Sequence, residues 1–160
     1  MLNDDARALL EGGCALIVGL TRPDGSPFAT RAWGCDIDPS GGGALLLVRA
    51  TDAASFGLQV GDVPGIPIAV TAADVRSLSS VQVKGVLVEL TPAEEGDAER
   101  KDRYCDLFVA AVQEVDGIPI EIAERWRPAD ALLRCRIRFE ELFLQTPGPG
   151  AGASLGRVDP

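Results

Sequence analysis

The chain has 160 residues, 46% hydrophobic and 24% charged, which is the material of one ordinary domain with a proper core. Its formal net charge of −9 argues against a nucleic-acid partner, because that binding rests on Lys and Arg neutralising phosphates; no polybasic cluster suggests a membrane surface. Apolar runs such as Ala44 to Val48 are too short to span a bilayer, and Asn3-Asp4-Asp5 is not a basic leader, so the expectation is a soluble, cytoplasmic protein.

The chain contains no histidine, which removes Ser-His-Asp and Cys-His nucleophiles, His-ligated metals and a haem with a proximal His. A haem would need a Cys or Tyr ligand instead. Cys14, Cys35, Cys105 and Cys135 are scattered without a C-x-x-C pair and read as buried, reduced thiols. An anionic ligand, facing an acidic chain, would need a local basic pocket.

In chain order, residues 4–11 read as a short helix with Asn3 as N-cap and Gly12-Gly13 as its stop. Cys14 to Leu20 has strand length, and Arg22-Pro-Asp-Gly-Ser is a turn leading into a second strand, Phe28 to Ile37. Gly41 to Gly43 turns into a third strand, Ala44 to Arg49, and residues 52–60 form a short helix. Ile66 to Ala72 and Ser79 to Leu90 make a fourth and a fifth strand. Thr91-Pro-Ala-Glu94 has the form of a capping box, opening an amphipathic helix whose buried face is Tyr104, Leu107, Phe108, Ala111, Val112 and Val115. A short helical piece lies near 119–126. The last strand alternates Leu133, Cys135, Ile137 and Phe139 inward with Arg134, Arg136, Arg138 and Glu140 outward.

This order predicts a mainly β fold with helices, a six-stranded antiparallel barrel with one long helix between the last strands. The barrel domain is expected over 1–144. Residues 145–160 are Gly/Pro-rich and read as a tail that continues neither strand nor helix, either mobile or wrapped onto a partner subunit.

Three strings, Gly25-Ser-Pro-Phe-Ala-Thr-Arg-Ala-Trp33, Leu47-Val-Arg49 and Ser79-Ser-Val-Gln-Val-Lys-Gly85, together with their order, resemble the pyridoxamine 5'-phosphate oxidase-like family of FMN-binding split barrels. The resemblance covers roughly residues 8–91, and the later helix and strand more loosely. It implies a homodimer holding a small molecule, FMN, in an intersubunit groove. The contacts it implies are Thr30, Arg31 and Ala32, Val48 and Arg49, Ala53 to Ser55 (with Ser55 the polar group), and Ser80 and Gln82. Lys84 shares the face of Ser80 and Gln82 and is a further cofactor candidate.

The chain departs from the pattern where FMN-binding members carry a Ser-Arg-Lys-like string that grips the phosphate. Here the string is Ala53-Ala54-Ser55, and the nearest cations are Arg31 and Arg49. Arg31 shares a face with Ala29 and Trp33, Thr30 with Phe28 and Ala32, so only one of these faces can line a groove. Trp33 reads as core or as a stacking platform, and Trp126, between Arg125 and Arg127, as a surface or interface anchor. The Arg-containing C-terminal segment of the true oxidases has no counterpart in Pro147 to Pro160. Three functions therefore remain open: a flavin-dependent oxidoreductase of unknown substrate, a deazaflavin (F420) binder, and a cofactor-free dimeric barrel serving as a binding module.

Overall fold

The computed structural model describes residues 2–22, 24–61 and 65–158. Helix α1 (Asp4–Glu11) is capped by the Asn3 side chain, which accepts the Ala6 N–H at 2.8 Å. Strands β1 (Ala15–Thr21) and β2 (Pro27–Ile37) form the expected hairpin. In its turn the Arg22 N–H donates to Ser26 O and the Gly25 N–H to Arg22 O, both at 2.9 Å; Pro23 lies outside the described residues. β3 (Gly43–Arg49) runs directly into helix α2 (Ala50–Phe56), which Gly57 ends in the left-handed conformation. β4 (Ile66–Ala73), β5 (Ser80–Pro92), the long helix α3 (Asp97–Asp116), the short α4 (Ile120–Ala123) with a 3-10 turn at Glu124–Trp126, β6 (Leu132–Leu144) and β7 (Ser154–Arg157) complete the chain.

The strands order as β3-β2-β1-β4-β5-β6-β7, and β3 also pairs with β6, so six antiparallel strands close into a barrel. Period-two alternation fills the inside with Leu16, Val18, Ile68, Val70, Val81, Val83, Ile137 and Phe139. Closure leaves no free edge among those six strands. Gly85 stands at a register shift between β5 and β6, and a Cβ there would lie 1.9 Å from the Arg138 carbonyl oxygen. Only glycine permits that approach.

Three expectations are corrected. The capping box at Thr91–Glu94 does not form: Thr91 and Pro92 pair with Arg134 and Leu133 of β6, and α3 starts at Asp97. Asp97, 1% exposed, instead accepts the Glu94 N–H at 2.8 Å and is held by Arg100. Strand pairing with a long partner outweighed the local capping signal. The buried face of α3 is Tyr104, Cys105, Phe108, Val109, Ala111 and Val112, while Leu107 and Val115 are 46% and 50% exposed. The apolar stripe is wider than the contact: Leu107 lies on its flank and Val115 falls in the last turn before Gly117. Finally, residues 154–157 do form a strand, β7, whose Glu141↔Arg157 and Leu142↔Gly156 pairs extend the sheet beyond β6. Gly/Pro composition hid a segment that a neighbouring strand could template.

Among the described residues, no helix is long and apolar enough to cross a membrane.

Candidate functional site

The two arginines nearest the expected cofactor contacts stand at the junction of β2, β3 and α2, and their surroundings differ. Arg49 ends β3, and Asp52 lies in the first turn of α2, so the (i, i+3) spacing brings them together. Arg49 Nε donates to Asp52 Oδ2 and Nη2 to Oδ1, both at 2.9 Å, in a two-pronged pair. The Thr30 hydroxyl donates to the same Asp52 Oδ2 at 2.5 Å. A second carboxylate, Asp130, lies 4.0 Å from Arg49 Nη1. Burial works to raise the Asp52 pKa, but the hydrogen bonds from Arg49 and Thr30, with the Arg49 charge, hold it below the ordinary carboxylate value. Ser55 is also spent, since its hydroxyl donates to the Thr51 carbonyl at 2.7 Å.

Arg31 is different. Its guanidinium lies between two rings, 5.0 Å from the centroid of Trp33 and 4.4 Å from that of Phe108. The Nε and Nη2 of Arg31 are buried without a hydrogen-bond partner, and so is Trp33 Nε1 on a side chain 6% exposed. The Arg31 and Trp33 side chains line an open groove of about 580 Å³ together with Arg49, Val75, Phe108, Val112, Asp116, Arg125 and Trp126. Trp126 tilts against Phe108 at a centroid separation of 6.5 Å. Three guanidinium groups and one carboxylate line the groove. It is therefore locally basic on a chain whose net charge is −9. Beside it, burial raises the Tyr104 phenol to about 12 against the opposing charge of Arg31. The Tyr104 hydroxyl is engaged, donating to Cys14 O at 2.7 Å.

β2 thus divides its two faces. Arg31 opens onto the groove, whereas Thr30 turns into the mouth of the barrel, where it joins Val48 and Asp52 over a cavity of about 20 Å³. Ala32 is fully buried. Of the strand-5 candidates, Ser80 is buried and lines a separate cavity, its N–H donating to Thr146 Oγ1 at 2.9 Å. Gln82 donates to Thr71 Oγ1 at 2.9 Å, and Lys84 lies over the Phe143 ring at 4.4 Å. Paired registers place Arg31, Ile17, Thr71 and Gln82 in one row across the outer face. Three strand spacings then put Gln82 about 14 Å from Arg31. The expected set therefore splits, with Arg31 and Arg49 in one groove and Ser80, Gln82 and Lys84 away from it.

Sequence reasoning missed Asp52, Phe108, Asp116 and Arg125 as neighbours of these arginines. Asp52 carried a legible signal in its spacing from Arg49; the others are brought in by α3 and the 124–126 turn, which no local pattern places. The four thiols are all buried, with no disulfide. Burial, helped by Asp74, raises Cys14 to about 11, and burial alone raises Cys135 to about 12. Among the described residues, no group of three or more His, Cys, Asp or Glu is placed to hold a metal ion.

No family model matches the chain, and no curated protein does. Solved structures do. An F420 reductase is 17% identical with a TM-score of 0.53, the match covering 88% of this chain and 98% of that one. The fold is the split barrel of the pyridoxamine 5'-phosphate oxidase-like proteins. A variant of HupZ from Group A Streptococcus is 12% identical with a TM-score of 0.53, covering 90% and 99% of the two chains. A protein described as a candidate pyridoxamine 5'-phosphate oxidase from Lactobacillus delbrueckii is 16% identical with a TM-score of 0.50, covering 89% and 93%. At these identities the likeness establishes the barrel and not its ligand.

Set against FMN, the donors of this split barrel fit in one place and fail in another. The unpartnered N–H groups of Arg31 and Trp33, with the flanking rings, suit the carbonyl-rich edge of a planar ring. The start of α2 does not suit a phosphate dianion: Arg49, Thr30 and Ser55 are already engaged, and Asp52 adds a negative charge.

Proposed function

We propose that this chain is a flavin-type, oxidoreductase-like split barrel that binds the ring of a cofactor such as FMN in the Arg31 groove, with its substrate unassigned. The observation behind this reading is that Arg31 and Trp33, whose side chains carry buried, unpartnered donors, both line an aromatic-walled groove of about 580 Å³. That volume is within the range of small-molecule sites, and a native protein rarely leaves such donors unsatisfied without a ligand or water to meet them. When bound, a flavin supplies hydride or electron transfer. The protein's part is to orient the ring with Trp33, Phe108 and Trp126, and to hold positive charge at its edge with Arg31. Positive charge there favours the reduced, more anionic ring.

The reading includes a homodimer. The outer face beside the groove is lined by Ala29, Gly19 and Ala69 in paired register, next to Ile17, which is 41% exposed. A flat face of small residues suits close packing against a second copy, which would complete the groove. The cytoplasmic assignment rests on four reduced thiols in a disulfide-free chain.

Titration of the purified protein with FMN, followed by quenching of flavin fluorescence, tests the reading. Saturable binding that Arg31→Ala weakens about 10- to 100-fold is expected, as for loss of hydrogen bonds to a charged donor. No binding in either protein would remove the flavin. A deazaflavin offers the same ring chemistry to Arg31, and the F420 reductase likeness keeps it as the next titrant. The self-satisfied Arg49–Asp52 pair favours the second reading, a cofactor-free dimeric barrel that binds other molecules.

A further inference from the structure

We propose that Asp52 is a specificity residue that closes the Arg49 corner to phosphate, so that the groove selects a ring ligand lacking a phosphate monoester at that position. This deepens the ring-binding reading and rests on it for the identity of the ligand. A phosphate monoester bound at the start of α2 would be met by the Arg49 fork, the Thr30 hydroxyl and the Ser55 hydroxyl. Asp52 takes both prongs of Arg49 at 2.9 Å and the Thr30 hydroxyl at 2.5 Å. Ser55 has turned to the Thr51 carbonyl. The Asp52 carboxylate thus stands where the ligand anion would be, a built-in counterion delivered by the chain itself.

Charge adds to this occupancy. An entering dianion would have to displace Asp52 from Arg49, and both anions would then share one guanidinium with Asp130 4.0 Å away. The helix offers little relief: α2 spans only Ala50–Phe56, and Asp52 already occupies its first turn. The Asp52 side chain is 16% exposed and rests at the mouth of the apolar barrel cavity, so water screens it poorly. Arg31, by contrast, keeps its Nε and Nη2 free. The corner rejects an anion while the groove beside it keeps its donors.

The test compares FMN with riboflavin, which share a ring and differ in the phosphate, on the wild type and on Asp52→Asn and Asp52→Ser. The wild type is expected to bind riboflavin at least as tightly as FMN. Asp52→Asn is expected to tighten FMN about 10-fold, with riboflavin unchanged, because it removes one charge and frees the Arg49 fork. Asp52→Ser removes the carboxylate through a smaller polar side chain and guards against a misfolded amide variant. A second arm needs no flavin: millimolar inorganic phosphate, against chloride at matched ionic strength, should raise the melting temperature of both variants and not of the wild type. A wild type that prefers FMN 10-fold or more overturns the proposal, as do variants that change neither the FMN-to-riboflavin ratio nor the phosphate response. If no flavin binds any of the three proteins, the ring reading fails. The phosphate arm then decides the role of Asp52: stabilisation of the variants alone upholds it, and equal responses overturn it.

Discussion

Arg49 and Arg31 stand on neighbouring strands of one barrel and line one groove, yet one is satisfied and the other is not. Arg49 is held by a two-pronged Asp52, a Thr30 hydroxyl completes that carboxylate, and Asp130 stands behind it. Arg31 is held by two ring faces and by the neighbouring Tyr104 hydroxyl, while two of its nitrogens are buried and unpartnered. A satisfied charge belongs to structure, because its interactions are complete before any ligand arrives. An unsatisfied one marks where a ligand's polar edge gains most, since the cost of hiding those donors has already been incurred.

The largest effect expected from this contrast is on binding. Arg31→Ala should weaken a flavin-type ligand about 10- to 100-fold in fluorescence titrations, and Arg49→Ala by less than about 3-fold. Arg49→Ala strips Asp52 of its main partner and should cost about 1 kcal/mol, discounted because Arg49 is 40% exposed. A double-mutant cycle over Arg49→Ala and Asp52→Ala sharpens the point, with an expected coupling of about 1 kcal/mol in denaturant titrations. Coupling near zero would mean that the pair is a surface contact of no consequence.

A smaller effect is set by pH. Cys14, Cys135 and Tyr104 are raised by burial to about 11, about 12 and about 12, from ordinary values of 9.0, 9.0 and 10.0. The folded chain therefore holds their protonated forms, whereas the unfolded chain releases those protons sooner. Stability is full below the ordinary thiol value and falls as pH rises from there toward the folded values. Melting temperature measured against pH should decline above about pH 9. Tyr104→Phe, which removes the bond to Cys14 O, should cost about 1 kcal/mol in denaturant titrations.

The barrel was legible because its signals are local and repeated. The short turn between β1 and β2 placed those strands within a residue or two of their observed bounds, and period-two alternation in β6 placed its start, although the strand runs on to Leu144. The start of α3 was not legible, because Thr91 and Pro92 are claimed by pairing with Arg134 and Leu133, residues more than forty positions away. β7 was hidden for a similar reason, since it exists only as an addition to β6. The site was half legible. Arg31 and Arg49 emerged from the family resemblance. What separates them is Asp52 on one side and Phe108, Trp126 and Arg125 on the other. Phe108, Trp126 and Arg125 come from α3 and the turn after it, and side-chain satisfaction is a property of neighbours.

The most direct measurement is a flavin fluorescence titration of Arg31→Ala and Arg49→Ala beside the wild type, with circular dichroism to confirm that each is folded. The account predicts that the wild type and Arg49→Ala bind and quench the flavin, while Arg31→Ala loses binding about 10-fold or more. Loss of binding in Arg49→Ala with Arg31→Ala unaffected would contradict it, moving the ligand to the corner that Asp52 is held to close.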